Sequence, residues 1–393
     1  MKFGFSVRDS PQHGGDLVAI DSIAKGLEEL GHRVFFGPDA SSVIKSDYIF
    51  ISNTCLDQRP QLDDLLKYKK RWGVVPFHED FYFYLPTMVG FINYVFSMFN
   101  DGSMELKYDR TEMSIEHLRE APNIVQIYGG ESLGIPTNSH VNRGIFTGAE
   151  TVFAHAEMEK LSIHNHIPRC KIKVVPWGCG IAENEYEYND SFLKLTGMTK
   201  GEYILSIGRI EPRKNQLGSL ISLYDVDIPL VLTTQKVYRK DFAEMVLQIA
   251  AKRKGPTIII SQDMEPREEG SLRVIKTGGL LKEETIASAY QNAGLHLHPA
   301  FYEMPGFTYL EAAKYNIPQV ASNWGSIKEY FSHDGNSSSL NGRVEYVDPH
   351  NIGQIEEAVL KQFGKTFDPM YDHPALNRTY MDVAKDFLKF IIR

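Results

Sequence analysis

The sequence predicts an α/β protein built on two doubly wound parallel sheets, and three observations carry that reading. Short apolar runs alternate with segments whose apolar residues recur every three or four positions along most of the 393 residues. A stretch rich in Glu, Asn, Tyr and Asp, from Ala182 to Gly201, interrupts the alternation. On either side of it, a series opens with a strand that runs into a glycine turn.

Lys2 to Val7 reads as the first strand, and Leu17, Ile20, Ile23, Ala24, Leu27 and Leu30 give the apolar stripe of the following helix, stopped by Gly31. Strand-like Arg33 to Phe36 and Tyr48 to Ser52, helical Leu62 to Lys70 and strand-like Gly73 to Phe77 continue the βαβ pattern. Asn123 to Ile127, Thr151 to Ala154 and Lys173 to Val175 read as further strands. Beyond the interruption, strands are expected at Tyr203 to Ile207, Leu230 to Thr233, Thr257 to Ile260, Val274 to Lys276, Leu295 to His298 and Gln319 to Ala321. Helices are expected at Gln216 to Leu223, Asp241 to Ala251, Glu283 to Asn292 and Phe307 to Tyr315. The expected organisation is a first domain over 1–180, a linker over 181–201, a second domain over 202–372, and a C-terminal segment, 373–393. In that last segment Val383, Phe387, Leu388 and Ile391 form one apolar helical face that must be covered, most simply by the first domain.

Composition excludes several classes. The 42 % hydrophobic content is that of a chain with real cores, not of a disordered one. With 42 Lys+Arg against 50 Asp+Glu, no basic surplus exists to bind nucleic acid, so any phosphate must meet a local cluster of cations. Cys55, Cys170 and Cys179 do not make a disulfide scaffold, and Met1-Lys2-Phe3-Gly4-Phe5 carries no signal-peptide pattern, so the expected compartment is the cytoplasm. Phe81 to Phe99 has no charged residue, but Pro86, Gly90 and Asn93 interrupt it. Core packing is the expected use, with an acceptor platform or peripheral contact with a membrane as the alternatives.

Ligands of open α/β sheets bind beyond the carboxyl ends of strands. Pro11 to Asp16 occupies such a place, and Gly14-Gly15 leaves room for a phosphate or a sugar, although a plain tight turn has the same sequence. No G-x-G-x-x-G or G-x-x-x-x-G-K-[ST] is present. In the second half, Gly208-Arg209-Ile210-Glu211-Pro212-Arg213-Lys214-Asn215 follows a strand, and Arg209 and Lys214 can converge on one anion. A solvated basic loop is the alternative. His298 to Glu311 then runs from a strand end through Pro305-Gly306 into a helix, with the amides of Phe307 and Thr308 left to donate and Glu303 and Glu311 left to accept from hydroxyls. Asp225-Val226-Asp227 matches a metal-binding D-x-D but reads as a solvated turn. His164-x-His166 and His296-x-His298 could each place two imidazoles on one face of a strand, with no further ligand nearby.

Taken in order, these segments resemble the retaining glycosyltransferases of the GT-B fold, glycosyltransferase family four. Glu303 and Glu311 have that family's E-x7-E spacing, followed by Ala312 to Ser322, Gly325 and Glu329. Gly208-Arg209 with Lys214-Asn215 is similar to its G-R-x5-K-N segment shortened by one residue, Gly14-Gly15 with Gly31-His32 to its first-domain turn and helix end, and Val174 to Gly178 to its crossover V-[IV]-P-N-G. The resemblance implies two Rossmann-like domains facing across a cleft. It implies a nucleotide-sugar donor as substrate, a carbohydrate or lipid-linked glycan acceptor, and no cofactor, metal or nucleic acid. It assigns Arg209, Lys214, Gly208, Gly14 and Gly15 to the donor diphosphate and Glu311 to the ribose. Glu303 with Gly306, Phe307 and Thr308 would hold the donor sugar, and His78 would lie near the anomeric centre or the acceptor. It also suggests a setting in bacterial surface polysaccharide or lipopolysaccharide assembly. A disaccharide synthase or phosphorylase of the same fold and a catalytically silent sugar-nucleotide-binding protein are the alternatives. Met304-Pro305 after the first Glu, Trp177 in place of Asn, and Val231 to Thr234 without a following glycine depart from the family pattern.

Overall fold

The structure, a computed structural model, describes residues 1–7, 15–54, 58–99, 142–178, 186–234, 237, 240–332, 340, 342–368 and 373–392. Gly14, Cys55, Cys179 and the expected strand Asn123 to Ile127 lie outside the described residues. The chain divides into two compact units. One comprises Met1–Tyr82, Val125–Glu183 and His373–Arg393, the other Phe83–Ile124 and Asn184–Asp372.

The first unit carries β1 (Lys2–Ser6), α1 (Gly15–Glu29), β2 (Arg33–Gly37), β3 (Tyr48–Ser52), α2 (Arg59–Lys67) and β4 (Arg71–Val75). After α3 (Phe81–Phe99) it resumes with α4 (Arg143–Gly148), β5 (Thr151–Ala154), α5 (Glu157–His166) and β6 (Ile172–Val174). Its strands pair in parallel in the order β2-β1-β3-β4-β5-β6. Every residue of β3 and β5 is buried, which is why these strands read as unbroken apolar runs. The order reverses beside β1, so the carboxyl ends of β1 and β3 flank a topological switch point.

The second unit carries α6 (Ser191–Thr196), β7 (Ile204–Ile207), α7 (Gln216–Ser222), β8 (Leu230–Thr234), α8 (Lys240–Lys252), β9 (Thr257–Ser261), β10 (Arg267–Glu269) and β11 (Leu272–Lys276). It continues with α9 (Glu283–Asn292), β12 (Leu295–His298), α10 (Phe307–Lys314), β13 (Gln319–Ser322), α11 (Ile327–Phe331), β14 (Val344–Val347) and α12 (Ile352–Gln362). The strand order is β10-β11-β9-β8-β7-β12-β13-β14, with only β10 antiparallel among the described strands. Here the order reverses between β7 and β12.

The short helix α13 (Pro374–Asn377) and α14 (Tyr380–Ile391) return the chain to the first unit. A capping box between Thr379 and Asp382 starts α14. Its Phe387 ring stacks 4.2 Å from Phe153, and a Cβ on Gly26 of α1 would meet the Tyr380 carbonyl oxygen at 2.9 Å, so α1 and α14 touch backbone to backbone.

The structure departs from the sequence reading at several elements. The interruption before Gly201 contains α6, whose Phe192 is fully buried against Tyr203; six residues are too few to show a helical period. His164 and His166 lie on a helix, α5, not on a strand. The uncharged stretch Phe81–Phe99 is helical, and from Phe83 onward it belongs to the second unit, not to the first domain in which the sequence places it. Tyr84 stacks on Tyr302 at 5.2 Å and Phe91 approaches Phe301 at 5.7 Å, so these two rings pack within that unit, while Phe83 is exposed. Among the described residues no helix is long and apolar enough to cross a membrane.

Candidate active site

The reversal between β7 and β12 sets two loops side by side at the carboxyl edge of the second sheet. The loop after β7 begins at Gly208, whose amide donates to the Thr233 carbonyl at 3.0 Å, and closes in a 3-10 turn over Pro212–Lys214. Asn215 then adopts φ 58°, a left-handed conformation that asparagine tolerates. Its side chain caps α7 by accepting from the Gly218 amide at 3.1 Å and donates to the Pro299 carbonyl at 2.8 Å, tying this loop to the one after β12. The Phe301 amide donates to the Arg213 carbonyl at 2.8 Å, a second tie.

Side chains of both loops form one charge cluster. Lys214 Nζ donates to Glu303 Oε1, His298 Nε2 lies 3.1 Å from that same oxygen, and Arg213 stands 3.6 Å from it. Arg213 also donates to the Tyr302 carbonyl at 2.8 Å and to Glu211 at 2.9 Å, while Arg209 lies 3.3 Å from Glu211. Burial opposes the ionisation of Glu303, but Lys214, Arg213 and His298 outweigh it and hold the carboxyl well below the usual carboxylate range. Glu211 is held low in the same way, its burial outweighed by Arg209, Arg213 and Lys214. Burial lowers the Lys214 ammonium against the pull of Glu303.

The sequence expects Arg209 and Lys214 to face one anion. In the structure each pairs with a different carboxylate, and Arg213, which sequence reasoning passed over, bridges the two. Its signal was the position beside Lys214 and two residues after Glu211. His298 and Asn215 were likewise present in the motifs without an assigned task.

Two glycines shape the backbone around Glu303 and the start of α10. Gly306 caps α10 at φ 83°, and a Cβ there would meet the Tyr309 ring at 2.7 Å. Gly325, at φ 94°, lies so close that a Cβ would meet the Glu303 carbonyl oxygen at 2.7 Å. By contrast, a Cβ on Gly208 would make ordinary contacts with His298 and Lys214, so no atom among the described residues demands a glycine there. Phe307 and Thr308 form the first turn of α10, and the Thr308 hydroxyl is buried with no partner among the described residues. Glu311, on the same helix, accepts from the Tyr290 hydroxyl at 2.8 Å. Burial and that carboxylate push the Tyr290 phenol well above its ordinary value.

The remaining candidates sit in the first unit. Gly15 is the exposed first residue of α1, and His78 lies buried beyond β4. Burial lowers the His78 imidazole against the pull of Glu159 and Asp80. Among the described residues no three His, Cys, Asp or Glu side chains are grouped as a metal site. His296 and His298 stack at 6.0 Å on one face of β12, but hydrogen-bonding geometry takes them to Gln319 and Glu303.

No protein-family model matches the sequence, and no curated protein matches it. Solved structures do. The Anabaena protein HepE, described in complex with UDP and glucose, aligns at a TM-score of 0.60 and 12% identity over 100% of this chain and 99% of its own. Sucrose-phosphate synthase of Thermosynechococcus elongatus aligns at 0.59 and 13% identity over 99% and 94%. WaaG, a glycosyltransferase involved in lipopolysaccharide biosynthesis, aligns at 0.56 and 11% identity over 98% and 95%. These structural neighbours are GT-B glycosyltransferases, and this chain has the GT-B fold.

Proposed function

We propose that this chain is a glycosyltransferase that takes a sugar from a nucleoside diphosphate donor and passes it, with retention at the anomeric carbon, to a carbohydrate or lipid-linked glycan. One observation carries the reading: the glycine–arginine–lysine loop and the Glu303 loop, 89 residues apart at Lys214 and Glu303, meet in a single, largely buried charge cluster at a switch point. Breaking a sugar–phosphate bond leaves negative charge on the departing diphosphate, and Arg209, Arg213 and Lys214 are the preorganised cations to receive it. Glu303 and the first amides of α10 suit the hydroxyls of the transferred sugar, and Glu311 those of the ribose. The reading calls for no metal, because the protein's own cations supply the charge. Gly14, Gly15 and His78 enter it through the resemblance, as donor and acceptor residues. A cytoplasmic role in surface-glycan assembly completes it, in line with what HepE and WaaG are described as binding or serving.

Calorimetry against UDP, GDP, ADP, TDP and CMP tests the core of the proposal. One nucleoside diphosphate should bind, and Arg209→Ala should weaken it. Failure of all five to bind would overturn the reading.

A further inference from the structure

The first unit holds a buried ionised carboxylate that the proposed chemistry does not use. Glu159 sits in the first turn of α5, and its side chain and that of His155 are both fully buried. One oxygen accepts from the His78 amide at 2.7 Å. The other accepts from the His155 amide at 2.8 Å and faces His155 Nδ1 at 2.6 Å. Burial works against this carboxyl, but His155 and the two amides outweigh it and keep it ionised at neutral pH. A lone buried charge costs several kcal/mol, so this carboxylate holds its donors firmly.

The loops it joins follow β4 and β5, which are neighbours in the sheet. Phe77, the residue before His78, adopts φ 47°, a left-handed conformation that costs a bulky residue on the order of 1–3 kcal/mol and persists only where its surroundings fix it. Trp177 supplies part of that fixing, with its ring 4.8 Å from Phe77 and 4.9 Å from His155. The same helix reaches the loop twice more: the Ser162 hydroxyl donates to Asp80 at 3.0 Å, and the His166 ring lies 6.1 Å from His78. Glu159, Ser162 and His166 are spaced by three and four, so one face of α5 meets the His78 loop. Trp177, a departure from the family pattern, therefore comes with a buried His–Glu pair beside it.

We propose that Glu159 is a positioning residue for His78, holding a strained loop so that the imidazole keeps one place beyond the carboxyl end of β4. The inference rests on the transferase reading, which is what gives His78 a task. The cost of a misplaced group near the reacting atoms is about tenfold to a hundredfold in turnover.

The test is a double-mutant cycle of Glu159→Gln and His78→Ala, with UDP-glucose as donor and release of UDP as the readout. Glu159→Gln should lower kcat by about tenfold or more with little change in KM, and should cost nothing further once His78 is alanine. Equal losses in both backgrounds would mean a merely structural carboxylate and would overturn the proposal. Histidine-selective NMR on the unliganded protein gives a second reading that needs no turnover. Among the described residues Asp80, His166 and Glu159 act on the His78 titration, and removal of the Glu159 charge should lower the His78 midpoint. An unmoved midpoint would overturn the proposal even if UDP-glucose is not a donor. If the glutamine variant does not fold, Glu159→Asp, which keeps the charge but shortens its reach, should show the same dependence on His78.

Discussion

Lys214 and Glu303, from loops on neighbouring strands, form a largely buried ion pair. The pair leaves the site electrically occupied: three cations, Arg209, Arg213 and Lys214, already face two carboxylates, Glu211 and Glu303. A diphosphate entering here must draw these cations away from carboxylates that burial would leave costly to strand.

Removal of a cation should therefore be felt in binding. Arg209→Ala or Lys214→Ala should each weaken the bound nucleoside diphosphate by about 1.5–3 kcal/mol, the range for a charge-assisted hydrogen bond, as measured by calorimetry. Unchanged affinity in both variants would remove the diphosphate from this cluster.

Removal of the carboxylate should have the opposite sign. In Glu303→Gln the Lys214 ammonium loses its counter-charge, so nucleoside diphosphate affinity should hold or rise while turnover falls by about a hundredfold. A variant that loses affinity and keeps its rate would place Glu303 outside the sugar site.

Gly325→Ala should lower stability by about 1–3 kcal/mol in urea melts. The new Cβ must fit a left-handed backbone and would press on the Glu303 carbonyl. Normal stability would show that the Gly325 backbone does not press on the Glu303 carbonyl.

His296 gives a pH signature. Burial first, then the neighbouring His298, push its imidazole down to about 3, below an unfolded value of about 6.5. The folded protein thus keeps this ring neutral where the unfolded chain binds a proton, and stability falls as pH drops from about 6.5 toward 3. Between pH 7 and pH 5 the wild type should lose about 2 kcal/mol more than His296→Gln in denaturant titrations. Parallel losses would show that the ring is not held neutral.

Local pattern was enough to locate most strands, because those of a doubly wound sheet are covered on both faces and read as largely apolar runs, as in Tyr48–Ser52 and Leu230–Thr234. Shorter or more polar elements escaped it: Arg267–Glu269 and Val344–Val347 carry exposed or half-buried positions, and Ser191–Thr196 spans less than two helical turns. Motif spacing alone singles out Arg209, Lys214, Glu303 and Glu311. It gave no hint that Arg213 would bridge two carboxylates, since that depends on the 3-10 turn and on which strand lies beside β7.

Periodicity, glycine turns and the order of motifs along the chain determined the fold class and the loops that carry charge, because these depend on neighbours within a few residues. Partnership was decided by the tertiary structure alone: Lys214 with Glu303, Glu159 with His78, and the helix after Tyr82 with Phe301 and Tyr302. Each of those pairs is brought together by strand order and helix docking, and the energy of a buried charge depends on what surrounds it, which no run of adjacent residues specifies.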